Sequence, residues 1–358
     1  MSEVGIKDVA RLANVGIATV SRVLNNSAGV SDELKERVLD AAHQIGYTTN
    51  PIARTLKNAK TDTIALIVTS LKRNFYIDLI KGVSDVCKEN SYSVHVLESE
   101  DSVEEEMKMV KTLVHQWIDG IILVPSVSRA DKKTEGYLKS LSRLKKKDIN
   151  IPVVQLEVPC LNPYVDSVVV DHDELAYQAV MHLTEIGRKH IAYISVPENS
   201  PMAEQRLNGY KRALQKEGLE IDEELIICGR FEVLEGYRCM KELLMKRKEI
   251  DAVFASNDQM AVGALYACKE AGIRIPEDIA LIGNDCVALS AVSSPAISTI
   301  SMPKYEYGRA AAGLLLERIR NPKGEAVKGE VLPIQTEVVI RESTLKSAKK
   351  SLGTMIIE

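Results

Sequence analysis

The chain has 358 residues, 45% hydrophobic and 27% charged, so core size is not limiting and two or more domains are expected. No apolar run approaches the roughly 20 residues that span a bilayer, and the opening "MSEVGIKDVARLANVG" has no apolar stretch of signal-peptide length, so a cytoplasmic protein with no membrane partner is expected. The net charge of −4 is uneven: residues 1–60 carry eight Lys/Arg against six Asp/Glu, net +2, and the remainder is net −6, which permits nucleic-acid binding by the head.

The first elements read as three short helices. "IKDVARLA" places Ile6, Val9, Ala10 and Ala13 on one face, and "ATVSRVLN" turns Val20, Val23 and Leu24 inward. "SDELKERVLDAAHQIGY" starts with Ser31 as N-cap and has Asp32 and Glu33 in its first turn, where the helix dipole favours anions. Leu34, Val38, Ala41 and Ile45 form its apolar stripe, and Gly46 is its stop. The first two helices are separated by a turn of three or four residues containing Gly16, the helix-turn-helix pattern.

"TNPIARTLKNAKTDT" follows. Asn50 can cap a helix and Pro51 suits its first position, but the run 51–58 spans only some eight residues. Isolated helices under about 12–15 residues are marginal in water, so this linker is expected to order only when something docks on it. From Thr61 on, strands alternate with helices: "TIALIVT", "YSVHVLES", "DGIILVPS" and "IPVVQLE" are strands with helical runs between them. After "VPCLNPYVDS" the cycle restarts and runs through "HIAYISV", "LIICG", "IDAVFAS" and "DIALIGND". Such alternation implies parallel, doubly wound sheets, here in two similar α/β lobes. Neither lobe contains a G-x-G-x-x-G or a G-x-x-x-x-G-K-[ST] phosphate loop, so no nucleotide cofactor is implied. The six cysteines form no C-x-x-C pair and none lies at zinc-ligand spacing from a histidine; they read as reduced structural thiols, with no metal site.

"IKDVARLANV", "ATVSRVLNN" and "VSDELKERVLDAAHQIGYTTNPIARTL" resemble the head and hinge of the lactose-repressor (LacI/GalR) family of bacterial transcription regulators. Downstream, "RLNGYKRAL", "ASNDQMAVGAL", "RIPEDIALIGND", "SMPKYEYGRAAAGLLLERI" and "VIRESTL" resemble that family's effector-binding core. The resemblance implies a small all-α helix-turn-helix head (1–49), a hinge helix and linker (50–60), a periplasmic-binding-protein-like core of two doubly wound α/β lobes (61–345) and a tail (346–358). It also implies three crossings between the lobes. The N-lobe is expected to comprise 61–158 plus 291–321, and the C-lobe 162–288 plus 325–343.

In a helix-turn-helix the second helix enters the major groove with its N-terminal residues at the base edges. Those residues are Ile17, Ala18 and, one turn on, Arg22, and the resemblance points to the same three. Arg22 can pair bidentately with guanine, while Ile17 and Ala18 can offer only apolar contact to thymine methyls. Thr19, Ser21 and Asn25 read as phosphate and sugar contacts. Gly16 stands where relatives carry a serine that caps the reading helix and touches phosphate; glycine still serves as an N-cap. In the hinge, the resemblance makes Leu56 a wedge into a central minor-groove step, a known way to bend DNA. Ala53 is small enough for close approach there, and Asn50, Arg54 and Lys57 can reach the backbone.

Parallel α/β lobes bind ligands at the carboxyl ends of their strands. Strand ends offer Ser70, Phe75, Tyr76, Glu157, Asn257 and Asp285, with Arg206 at the start of a helix. By resemblance, Arg206 and Asp285 grip ligand hydroxyls or polar ring atoms, and Phe75 and Phe231 form stacking walls. Asp258 is expected to cap the following helix. Asn284 and Met202 depart from the family's usual aromatic and polar choices at their positions. No Ser-His-Asp or Cys-His order accompanies the carboxylates, and the six histidines fall on helix or strand patterns away from these ends, so no enzyme is expected.

The tail offers Leu345, Ala348, Leu352 and Met355 at heptad-like spacing over two heptads, interrupted by Gly353, which favours a dimer over a zippered tetramer. The expected protein is a repressor of carbohydrate-use genes that binds palindromic double-stranded operator DNA as a homodimer. A small-molecule effector, a sugar or sugar derivative, controls it from the interlobe cleft. The alternatives are a catabolite-type regulator with a protein co-repressor and a solute-binding protein.

Overall fold

The computed structural model describes residues 5–24, 29–47, 60–126, 134–146, 148–158, 162–246, 249–322 and 327–345. Residues 1–61 and 62–358 form two compact units. In the first, helices α1 (Ile6–Leu12), α2 (Ile17–Leu24) and α3 (Asp32–Gln44) enclose Val9, Ala10, Ala13, Val20, Val23, Val38, Ala41 and Ala42. Leu34 stays half-buried outside this cluster, while Ala42 and Tyr47 pack into it, so α3 presents a face slightly rotated from the expected stripe. Ser31 Oγ accepts the Leu34 N–H at 3.4 Å. Gly46, at φ +65°, ends α3: its N–H donates to the His43 carbonyl and the Tyr47 N–H reaches the Ala42 carbonyl at 2.9 Å. The left-handed glycine and its paired bonds satisfy carbonyls that the helix end leaves open.

The second unit begins with β1 (Thr63–Val68), α4 (Phe75–Glu89), β2 (Ser93–Glu98), α5 (Val103–His115), β3 (Gly120–Leu123) and α6 (Glu135–Ser140). A two-residue ribbon, β4 (Lys145–Lys146) with β5 (Ile149–Asn150), precedes β6 (Val153–Glu157) and β7 (Asp166–Val170). Then come α7 (His172–Glu185), β8 (Ile191–Ser195), α8 (Ala203–Lys216), β9 (Ile226–Cys228), α9 (Val233–Met245), β10 (Ala252–Ala255), α10 (Asp258–Glu270), β11 (Ala280–Ile282) and α11 (Ala288–Val292). The last described elements are β12 (Thr299–Ser301), α12 (Lys304–Arg320), β13 (Val331–Ile334) and β14 (Glu337–Val339).

Two parallel sheets result. The first has the order β13-β7-β6-β3-β1-β2 and the second β11-β10-β8-β9. In β3, β6 and β10 every residue is buried, and β3 and β10 accordingly read as unbroken apolar runs rather than alternating ones. In each sheet the chain moves outward in both directions from its first strand, leaving a switch point between β1 and β3 and another between β8 and β10.

The register shifts the expected lobe boundaries. β7 pairs with β6, and β13 pairs with β7, so 166–170 and 331–334 belong to the first lobe, not the second. The segment "ISTISM" does not return to the first lobe: Ser298 bridges Ile282 of the second sheet, and β12 pairs antiparallel with β14. Helix α12 does return, packed against α4 at close range. A Cβ added to Gly82 would lie 2.1 Å from the Tyr305 carbonyl oxygen, and one on Gly308 2.1 Å from that of Leu79. The three crossings therefore fall after β7, after β12 and between β13 and β14. The physical reason is that a strand after a long loop carries no mark of which sheet edge it will join.

Candidate functional site

The two units present separate candidate sites. On the head, the Gly16 carbonyl accepts the Thr19 N–H at 2.9 Å and the Val20 N–H at 3.1 Å, so Gly16 stands at the N-cap of α2. Val20 and Val23 face inward, leaving Gly16, Ile17, Ala18 and Arg22 exposed. Ile17 is 46% exposed, far from core behaviour. Thr19 and Ser21 are half-buried beside them. The eight residues of α2 include no acidic side chain. An outward tip of methyl groups followed by a guanidinium has the chemistry to read thymine methyls and guanine edges. Asn25, Asn50, Ala53, Arg54, Leu56 and Lys57 lie outside the described residues, as does most of the tail.

In the second unit, a cavity of about 320 Å³ opens at the carboxyl ends of β1, β3 and β8. Thr69, Arg73, Asp101 and Ser126 line its first-lobe side; Asn199, Ser200, Met202, Arg230 and Phe231 line the other. It thus lies where open α/β sheets bind ligands. Ser126 is fixed from below by a buried carboxylate: Glu106 accepts its N–H at 2.6 Å and the Tyr137 hydroxyl at 2.7 Å. The lobes touch across the mouth. The Arg73 guanidinium lies 3.8 Å from the centre of the Phe231 ring, held by Asp101 through two 2.7 Å contacts and by Thr69 at 2.8 Å. Beside it, Gln259 accepts the Asn74 N–H at 3.3 Å.

A second group of polar side chains lies at further strand and helix ends of this unit. Glu157 ends β6 at φ +70°, His172 opens α7, Arg206 rises from α8 and Asp285 follows β11 at φ +104°. Glu157, His172 and Arg206 are at most 3% exposed. Arg206 donates to the Ser256 carbonyl at 2.7 Å, and its Nε and Nη2 both reach His172 Nδ1 at 3.3 Å. His172 Nε2 lies 3.1 Å from Glu157 Oε2. Lys304 Nζ donates to the Asp285 carbonyl at 2.8 Å, and Asn284 donates to Asp285 Oδ1 at 2.6 Å.

Burial dominates the electrostatics. It pushes the Asp285 carboxyl up to about 8, against the opposing pull of Arg206 and Lys304, and the Tyr76 hydroxyl up to about 12. Burial, reinforced by the Arg206 charge, holds the His172 imidazole below its ordinary value. Asp258 is raised to about 6 by burial, although it accepts the Thr299 hydroxyl at 2.7 Å and the Val287 N–H at 2.9 Å.

The structure brings the buried Glu157 and Arg206 together with the half-buried Asp285 in one polar set, and Phe231 onto the cavity wall. Phe75 and Tyr76 instead pack into the first-lobe core, edge to face, with the Tyr76 hydroxyl on Thr69 at 2.8 Å. Ser70 accepts a 3.4 Å bond from the Lys72 N–H in the loop above. Asn257, not Asp258, caps α10: its Oδ1 accepts the Met260 N–H while its amide donates to the Phe231 carbonyl. Asp258 serves the segment after β11. His172 corrects the expectation that every histidine lies away from the strand ends, because it follows β7 directly. The strand-end rule could have found it had "VVVDH" been read as a strand of the first sheet. Arg73, Asp101 and Lys304 carried no such signal, since their roles depend on which loops face each other.

Comparison with known proteins adds two family matches. Residues 5–50 match the bacterial regulatory proteins, lacI family, and residues 180–344 a periplasmic binding protein-like domain. The chain is 34% identical over 343 residues to the HTH-type transcriptional repressor PurR of Mannheimia succiniciproducens, covering 96% of this chain and 99% of that protein. It is 32% identical to the ribose operon repressor of Haemophilus influenzae, covering 94% and 98%. Among solved structures, a lac repressor dimer bound to operator and the anti-inducer ONPF superposes with a TM-score of 0.83 at 27% identity, covering 96% of this chain and 100% of that one.

Proposed function

Because the chain belongs to the lacI family of bacterial regulatory proteins, DNA-binding transcription regulators with an effector-binding core, we propose that it represses carbohydrate-use genes. In this reading a homodimer binds a palindromic operator, and a sugar or sugar derivative in the interlobe cleft tunes that binding. The observation that carries it is that the same chain has an exposed, acid-free α2 tip and a cleft of about 320 Å³ at the carboxyl ends of both sheets. A single three-helix head makes few contacts, whereas a two-fold pair reads two half-sites. Leu71 and Ile77, 51% and 62% exposed on either side of the start of α4, supply apolar surface of the kind subunit contacts use. A repressor acting on chromosomal DNA would work in the bacterial cytoplasm.

The base-reading set is Ile17, Ala18 and Arg22, with Gly16, Thr19, Ser21 and Asn25 as supports. The hinge set is Asn50, Ala53, Arg54, Leu56 and Lys57, with Leu56 as the wedge. The cleft set is Phe231, Glu157, Arg206 and Asp285. The wedge is tested with Leu56→Ala, which should weaken binding to operator much more than binding to random DNA. Equal loss on both would sink the wedge assignment.

A further inference from the structure

The second unit begins at Asp62, where the linker joins it. Asp62 is tied to the strands on either side of β1. Its N–H donates to Asp119 Oδ2 at 2.8 Å, beside the start of β3, and its carbonyl accepts the N–H of Ser93, the first residue of β2, at 2.9 Å. One residue on, the Thr63 carbonyl accepts the Asp119 N–H at 2.9 Å. The other oxygen of Asp119 accepts from Lys146 Nζ, and the same ammonium donates to the Trp117 carbonyl at 3.2 Å. Lys146 comes from the β4–β5 ribbon, and both members of the ion pair are buried. Asp62 and Trp117 sit at φ +50° and +64°, a left-handed conformation that residues other than glycine keep only where their surroundings impose it.

A buried ion pair is a poor source of stability, because desolvation offsets the attraction and apolar side chains of similar volume often do as well. This pair does what apolar side chains could not: it holds a fixed acceptor at the Asp62 amide. Its position in the fold connects two distant features. Asp62 and Asp119 stand at the amino ends of β1 and β3, while Thr69 and Ser126, just past the carboxyl ends of the same strands, line the cavity. Between them the two strands run paired from Ile64 with Gly120 to Ile67 with Leu123, all buried. We propose that Asp119 and Lys146 are positioning residues for operator binding: they fix where and in which direction the linker leaves the core. A linker that orders on DNA loses chain entropy, and an exit already fixed at Asp62 lessens that loss. Binding to random DNA, carried by contacts to phosphates, does not draw on it. The inference rests on the reading that the linker orders on an operator.

The test uses the full chain. Amide hydrogen exchange of the wild type without DNA should find the Asp62 N–H protected; exchange at the rate of an unstructured chain overturns the clamp before any variant is made. Asp119→Leu combined with Lys146→Met removes both charges together, since removing one alone would leave the other buried and unpaired. This double variant should melt as the wild type does and keep the amides of Ile64–Val68 protected. It should lose protection at Asp62 and bind operator roughly 3- to 30-fold more weakly, with unchanged affinity for random DNA. Asp119→Asn combined with Lys146→Gln keeps an uncharged acceptor for the Asp62 N–H and should bind operator nearly as the wild type does. Wild-type operator affinity in the apolar double variant, equal loss on both DNAs, or equal operator loss in the two double variants would each contradict the positioning role. Should the apolar pair fail to fold, the wild-type exchange measurement and the Asn/Gln pair still decide. A wild type that does not prefer its own upstream DNA to random DNA would sink the operator reading, on which the exchange result does not depend.

Discussion

At Gly16, a serine would fit without rearrangement. Its Cβ would meet no atom within 4 Å, and the backbone there is not left-handed. Gly16→Ser should add an N-cap hydroxyl for a few tenths of a kcal/mol of stability and one contact to phosphate. A gel shift should therefore show tighter DNA binding; unchanged or weaker binding would mean that the tip docks differently. Asp285 supplies a second residue-level prediction. Its carboxyl is raised from 3.8 to about 8 by burial, so between those values the folded state holds a proton that the unfolded state has lost. Stability must then fall as pH rises from about 4 to about 8. Asp285→Asn should flatten this slope in thermal melts; a slope that is unchanged, or of opposite sign in the wild type, would contradict it.

Helix packing fixes which substitutions the first lobe tolerates. Helices α4 and α12 approach so closely that Gly82 and Gly308 each face the partner's backbone. Gly82→Ala or Gly308→Ala must push the helices apart, at a cost of about 1–3 kcal/mol, measurable as a lower urea midpoint. A midpoint equal to wild type would mean that the helices separate freely. Element type was largely legible in the sequence, since Ser31 and Gly46 announce the ends of α3 and the buried strands stand out as apolar runs. Sheet membership was not. "VVVDH" and "EVLPI" look like any other strand, and only the pairing of β7 with β6 and of β13 with β7 shows that both join the first lobe. That same misplacement hid His172. Arg206 and Asp285 were legible through family resemblance, whereas Arg73 over Phe231 depends on two loops from different lobes meeting, which no local pattern encodes.

For the whole molecule, the cleft and the head lie on one chain, joined through a linker whose ordering on DNA is the proposed point of coupling. Segments folding on contact spend part of their binding energy on order, so a modest change in the core can shift operator affinity without touching the reading helix. In the proposed reading, the α2 tip selects the DNA sequence. It is tested most directly by fluorescence anisotropy of the full chain on DNA from upstream of its own gene and on random DNA, for wild type and Arg22→Ala at two salt concentrations. The expected result is much tighter binding to the upstream site than to random DNA, with Arg22→Ala losing about 1–3 kcal/mol on that site and far less on random DNA. Equal wild-type affinity for both DNAs, or equal loss on both in the variant, would contradict the account.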